Sequence, residues 1–454
     1  MKKLLLLMLL LILSIMAVET IIVAAEEVKP WICGYIGALS TDVGRSSQRA
    51  TQIAIDEINA AGGILGRPVK YVEADSTEDP TEGIKAYEYL GESQKADFII
   101  SGCVDDVSLG WMPRLLEFKI PTLDTWTSAI RGIEIVHDSY EAGGKAYFMD
   151  HMNDYDQGAA HVAFARDFLA NEMGWDTCVL LYEDTAYGHG VAEFIKENVS
   201  PTAGIELLGE VVYDIDTTDF TPVFSNVKKY DPDFIFLISS VNGVVVNSAY
   251  VELKVPIPMV GNNEAASSAE FWDDMGGLAG GLCGAMPPPT LGLDWDPVSQ
   301  AFIEKYKAKW SSRPIFPHFN GFNAYLGMYM MKAAAERAGG FKGEYLDKFV
   351  KEMEKTDLII WRYGGYERRD DLSPTGEDIK WQYYKFYGPD DPYTHSCVLD
   401  LTGENGRPGS MYFQWKSDKQ DPLEDTVGLL YPQRWKNTEF VFMPWIPQEK
   451  RGNQ

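Results

Sequence analysis

From Trp31 onward the chain alternates short apolar runs with amphipathic stretches of helical length, and this alternation limits the fold more than any other feature. Residues 31–39 read as a strand. Residues 44–61 read as a helix with Ala50, Ile53, Ala54, Ile58 and Ala61 on one face, stopped by Gly62-Gly63. A strand at 69–74, a helix at 80–94, a strand at 97–101, a helix from 106 and a short strand near 122–123 follow. After a break near 143–153 the pattern restarts. Helices are expected at 155–172, 190–198, 221–229, 243–253 and 267–275, with strands at 177–182, 205–212, 234–238 and 258–260. Strands and helices that alternate in this way bury both faces of a parallel sheet. Pro287-Pro288-Pro289 breaks the pattern before helices at 297–310, 321–338 and 344–355. Two successive α/β sets of this kind are expected to form two similar lobes.

Composition excludes several functions. The 454 residues are 45% hydrophobic and 24% charged, a globular balance at a length that favours two domains over one core. With 40 Lys+Arg against 67 Asp+Glu the formal charge is −27. Such acidity argues against a nucleic-acid partner, which needs clustered cations, and against adsorption to anionic lipid. Lys2 and Lys3, the apolar run 4–17 and the small residues Val23-Ala24-Ala25 read as a secretory leader, residues 1–25. An uncleaved anchor is the alternative. Removing Lys2, Lys3 and Glu19 with the leader takes the formal charge to −28. The five cysteines (Cys33, Cys103, Cys178, Cys283, Cys397) are dispersed and odd in number, so buried packing roles are expected for most.

In open α/β sheets a ligand binds beyond the carboxyl ends of the strands, where loops meet helix N-termini. Those loops carry Ser40-Thr41, Asp105-Asp106, Thr125-Trp126-Thr127, Tyr187, Asn242 and Asn263-Glu264. Hydroxyls, amides, carboxylates and rings of this kind can hold a small polar molecule. Each residue also has a plain structural reading. Ser40, Asp105 and Asp106 are good helix caps, Asn262-Asn263 suits an Asx turn, and Tyr187 and Trp126 suit a core.

The same stretches resemble the leucine/isoleucine/valine-binding protein family, solute receptors of ABC transporters. The run 36–75, with Gly37-Ala38-Leu39-Ser40 and then Asn59-Ala60-Ala61-Gly62-Gly63-Ile64-Leu65-Gly66-Arg67-Pro68, carries most of the likeness. Further matches are Asp184-Thr185-Ala186-Tyr187-Gly188, Asp219-Phe220, Tyr230-Asp231-Pro232-Asp233 and Gly321-Phe322-Asn323-Ala324, so the resemblance covers about 31–355. It implies two Rossmann-like lobes with parallel sheets joined by three crossovers, the Venus-flytrap arrangement of type I periplasmic binding proteins. The crossovers would lie near 145–150, 285–290 and 356–362. Lobe one would be 26–146 plus 288–357, and lobe two 147–287 plus 358–454 with an aromatic-rich C-terminal extension.

Carried over by position, the ligand contacts fall on Ser40, Asp106, Trp126, Thr127, Tyr187, Val241 or Asn242, and Asn263 or Glu264. The departures point to a changed ligand. Where the family has hydroxyls for a ligand carboxylate, this chain has Asp105-Asp106. The usual acid for the ligand ammonium is shifted or replaced by Asn263 with Glu264 adjacent, and Val43 stands where a ring is common. A cationic, amine-bearing or hydroxyl-rich neutral solute fits Asp106 with Trp126. The rival is that Asp105 caps its helix, Asp106 points away and an amino acid is held by backbone N–H groups.

The resemblance implies an extracytoplasmic receptor for a small solute, an amino acid or an amine- or amide-like molecule. It would work with the membrane permease and ATPase subunits of a transporter at the periplasm or outer membrane face, as a monomer or alternatively a dimer. No cofactor or metal is expected. Alternatives are a sugar-like or nucleoside solute, a soluble sensory receptor subunit and a secreted enzyme. The six histidines show no HExxH or other compact metal spacing. There is also no GxSxG elbow and no phosphate loop. The aromatic stretch after residue 360 is expected to enter the lobe-two core, or else to line the cleft or a docking surface.

Overall fold

The computed structural model describes residues 28–286, 291, 297–359, 367–368, 383–401, 409–416 and 427–453. The expected leader, Pro287-Pro288-Pro289 and the aromatics Trp361, Tyr363, Tyr366 and Trp381 lie outside that set. Among the described residues no helix is long and apolar enough to cross a membrane.

Two parallel sheets carry the molecule. The first has β1 (Trp31–Gly37), β2 (Val69–Asp75), β3 (Phe98–Gly102), β4 (Thr122–Asp124) and β5 (Tyr147–Met149) in the order β2-β1-β3-β4-β5. The second has β6 (Thr177–Glu183), β7 (Glu206–Tyr213), β8 (Phe234–Ser239) and β9 (Met259–Asn263) in the order β7-β6-β8-β9. All pairings within both sheets are parallel, so helices must cover both faces. Strand alternation sorts the side chains accordingly. Cys33, Tyr35, Phe98 and Ile100 enter one core, and Ile36, Ile99 and Tyr147 the other. Leu180, Phe236 and Ile238 are sorted from Val179, Ile235 and Leu237 in the same way.

Each sheet's leading strand passes into its helix through a close approach that admits only glycine. Helix α1 (Asp42–Ala60) is capped by Thr41, whose Oγ1 accepts from Gly44 N at 3.1 Å. A Cβ on Gly44 would lie 1.9 Å from the Ala38 carbonyl oxygen. In the second sheet Thr185 caps the helix Ala186–Asn198 by accepting from Gly188 N, and a Cβ on Gly188 would lie 2.1 Å from the Glu183 carbonyl oxygen. These contacts pull both helix N-termini down onto the strand ends and set the loops that face the cleft.

Several details differ from the sequence reading. The helix Ile130–Asp138 and the strand β5 were not anticipated, although Ile130, Ile133 and Val136 carry helical spacing. Because β5 pairs with β4, the first sheet runs past the expected boundary at 146 before the chain crosses over. The other two expected crossings fall on or beside residues outside the described set. The stretch expected as a helix at 267–275 is a 3-10 turn, Glu264–Ser267, and a single helical turn, Phe271–Asp274. All five cysteines are buried, and none is in a disulfide.

The C-terminal stretch divides between the lobes. Residues 383–401 strap the first crossover: Cys397 N donates to His151 O at 3.0 Å, and Met149 N to His395 O at 2.9 Å. Tyr384 bonds Asn323 of the helix Phe319–Ala338, and the Phe386 ring lies 5.1 Å from Phe148, so these aromatics pack on the first lobe instead of the lobe-two core expected for them. Residues Met411–Trp415 and Val427–Tyr431 instead form an antiparallel sheet with Cys283–Met286 that covers the second lobe. Tyr412 stacks on Phe164 at 3.6 Å there.

Candidate functional site

The carboxyl ends of both sheets face one cleft. A narrow cavity, open to solvent at its mouth, lies between them. Of the residues expected from sequence, Asp105, Trp126, Tyr187 and Glu264 line it. They come from β3, β4, β6 and β9 in turn, as strand-end loops in two facing sheets require.

Asp105 opens the helix Asp105–Phe118, whose cap position is Val104. Its Oδ1 accepts from Thr127 Oγ1 at 2.5 Å and from Ser128 N at 2.9 Å. Oδ2 is buried and has no hydrogen-bond partner among the described residues. Burial holds this carboxyl up to about 6, with Asp106 adding to the effect and the Thr127 and Ser128 bonds opposing it. Ser128 also donates to Asp154 Oδ1 at 2.6 Å, so one serine joins two buried acids. Burial, and then the Asp105 charge, raise Asp154 well above the ordinary range. Beneath them Asp124 accepts from Ser101 at 3.1 Å and Ser108 at 2.7 Å, which anchors the loop that carries Trp126.

Glu264 faces Asp105 from the second lobe. Its Oε1 accepts from Trp126 Nε1 at 2.6 Å, a bond that joins the lobes through the cavity wall. Burial drives its carboxyl well above the usual range. Tyr187 OH accepts from Asn262 Nδ2 at 2.5 Å and donates to Gln157 at 3.3 Å, which holds the ring against the cavity. Among the described residues lining this cavity there is no Lys or Arg. The site is therefore a pair of desolvated acids between Trp126, Tyr187 and Phe319 rings.

The remaining expected residues lie elsewhere. Ser40 is exposed and gives only its carbonyl, to Arg45 at 2.8 Å. Thr41 is spent on its cap, and Thr125 Oγ1 donates to Ser101 O at 2.8 Å. Thr127 acts through Asp105. Asn242 turns away to the carbonyls of Ile215 and Thr217, at 2.8 and 3.0 Å. Asn263 is fully buried behind the strand end. Asp106, expected to meet the ligand, instead reaches across the cleft mouth, where its Oδ2 accepts from Ala186 N at 3.3 Å. Neighbouring residues at a helix start diverge by about 100°, so only one of the two aspartates can face the cavity, and it is Asp105.

Sequence reading missed Ser128, His151, Gln157, Ser240, Asn262, Phe319 and Ser410 in the wall. Ser128, Ser240 and Asn262 sit beside expected positions on the same strand ends. His151, Gln157 and Ser410 come from the first crossover and the C-terminal wrap, which no local pattern marks.

A second, roomier cavity of about 120 Å³ adjoins the first and shares Glu264 and Ser240 with it. Val43, Val241, Ala265, Pro314 and Phe316 make it largely apolar. His318 at its edge bonds Ser267 Oγ at 2.7 Å, and burial holds its imidazole down to about 4, so it carries no charge near neutrality. Arg313 stands outside it and clamps the mouth. Its Nε donates to Asp42 at 2.8 Å, and its two terminal nitrogens pair with Asp274 at 2.6 and 2.7 Å.

A family model described as periplasmic binding protein matches residues 31–371. The Leu/Ile/Val-binding protein homolog 8 of Brucella abortus (strain 2308) is 23% identical over 335 residues, which span 69% of this chain and 77% of that protein. A solved putative branched-chain amino acid ABC transporter protein from Silicibacter pomeroyi superposes with a TM-score of 0.71 at 19% identity, over 92% of this chain and 100% of that one. A solute-binding protein from R. palustris, solved in complex with 4-hydroxybenzoate, gives 0.66 at 15% identity over 88% and 97%. These structures share the bilobed fold.

Proposed function

The chain belongs to the periplasmic binding protein family, and from that premise we propose that it captures a small amine-bearing solute for an ABC transporter. The protein is exported, works at the outer face of the membrane as a monomer, and delivers its solute to permease and ATPase subunits. The observation that carries this reading is the orphaned, buried Oδ2 of Asp105 opposite Glu264, in a cavity with no Lys or Arg among the described lining residues. An ammonium about 4 Å from such a carboxylate gains roughly 4 kcal/mol at an effective dielectric near 20. A carboxylate ligand would meet repulsion of the same order. The apolar cavity beyond Glu264 would take the hydrocarbon part of the solute. Contacts to both lobes favour closure, since the solute then binds the closed state better than the open one.

The second reading keeps a zwitterionic amino acid, as the name of the Brucella relative suggests. Asp105 keeps its proton below about pH 6 and would then donate to a ligand carboxylate. Thermal melting of solute-free protein separates the two. At pH 8, 3-methylbutylamine and phenethylamine should stabilise it, by about 2.7 kcal/mol at 100 times Kd, and L-leucine and 4-hydroxybenzoate should not. Stabilisation by leucine or 4-hydroxybenzoate alone refutes the amine reading.

A further inference from the structure

Glu183 ends β6 and is fully buried. Its carboxylate accepts from Ser239 Oγ at 2.6 Å, from Ser240 N and Oγ at 2.8 and 3.0 Å, from Val241 N at 3.0 Å and from Asn242 N at 2.6 Å. Tyr213 OH adds a longer bond of 3.4 Å. Consecutive backbone N–H groups that converge ahead of a helix form an anion-binding nest, and the helix dipole strengthens it. Here the helix is Gly243–Glu252, and the nest is filled by the protein's own carboxylate.

The filled nest lies directly behind the cleft, because Ser240, bonded to Glu183 through both N and Oγ, lines both cavities. An empty nest at this strand end would attract a solute carboxylate to the second lobe. We infer that Glu183 is a specificity-determining residue that never touches the solute: it occupies the anion nest from within, positions Ser240, and adds negative field behind Glu264. This rests on the amine reading for its consequence but not for its geometry. After burial, the Glu183 charge is also among the causes that raise the Glu264 carboxyl above its usual range.

Two ligand-free measurements test the assignment. In Glu183→Gly the nest is vacated, so sodium formate should raise the melting temperature several degrees more than equimolar sodium chloride, whereas wild type responds to both salts alike. Equal responses in the two proteins overturn the assignment. Should the glycine variant fail to fold, the fluorescence and affinity measurements on Glu183→Gln carry the test. In Glu183→Gln the pH midpoint of the Trp126-dependent fluorescence, taken as the difference from a Trp126→Phe background, should fall as a neighbouring negative charge is lost. An unchanged midpoint overturns the field effect, which a merely structural role would not produce. With probes, Glu183→Gln should lower the ratio of 3-methylbutylamine to 3-methylbutanoate affinity at least tenfold, and equal weakening of both overturns the role in specificity. Failure of wild type to bind the amine refutes the proposed solute while the formate and fluorescence results still judge Glu183.

Discussion

Replacing Asp105 by Asn should stabilise the solute-free protein at alkaline pH and abolish the gain in acid. The native carboxyl titrates at about 6, held up chiefly by burial, against 3.8 for an ordinary aspartate. Folded protein therefore keeps a proton that the unfolded chain releases, and stability falls as pH rises from about 4 through about 6. Above both values the buried charge costs about 3 kcal/mol, from that gap at 1.36 kcal/mol per pH unit. Asparagine preserves the Oδ1 acceptor used by Thr127 and Ser128 and replaces the orphaned Oδ2 with a neutral NH2 group. That group lacks a protein partner and offsets part of the gain, which leaves about 1–3 kcal/mol at pH 8. The assay is urea unfolding of protein stripped of solute by unfolding and refolding, at pH 4.5, 6 and 8. A variant no more stable than wild type at pH 8, or equally favoured at pH 4.5, refutes the account of Asp105 as a desolvated acid awaiting a cation. The same substitution should weaken 3-methylbutylamine at least tenfold, a stability–function trade expected where a site stores an unpaired charge.

Other outcomes follow from the same geometry. Trp126→Phe removes the indole donor to Glu264, so calorimetry should show amine affinity reduced and urea unfolding a loss of about 1–3 kcal/mol from the unpaired buried acid; unchanged values would show that this bond is idle. Amine binding should release protons between pH 5 and 7, because a cation favours ionised Asp105, and heats measured in buffers of different ionisation enthalpy should diverge accordingly. Arg313→Gln breaks the clamp between Asp42 and Asp274, and should enlarge the solute-free radius of gyration in X-ray scattering and weaken solute severalfold; no change in either would remove Arg313 from closure. Tyr187→Phe should cost about 1 kcal/mol by freeing Asn262 and Gln157, read by thermal melting.

Sequence alone determined that two parallel α/β lobes form, because apolar runs at strand length and helical stripes at 3.6-residue spacing are local properties. It also pointed to the strand-end loops that carry Asp105, Trp126, Tyr187 and Glu264, since a ligand in an open α/β sheet sits beyond the carboxyl ends of the strands. Tertiary structure alone decided which residues at those ends see the cavity. Asp105 and Asp106 are equivalent in a sequence, but helical rotation sends one carboxylate to Ser128 and the cavity and the other to Ala186 across the mouth. Asn263 likewise lost its expected place while Asn262 gained one, because strand alternation turns adjacent side chains to opposite faces, and Asn242, beyond its strand at the start of the helix Gly243–Glu252, is held by the Ile215 and Thr217 carbonyls. His151 and Ser410 join the wall from segments about 260 residues apart, a closeness set only when the C-terminal segments fold back over the crossover and the second lobe. The raised titration of Asp105 and Glu264 belongs to the fold as well, since desolvation is a property of what packs around a carboxyl and not of the carboxyl itself.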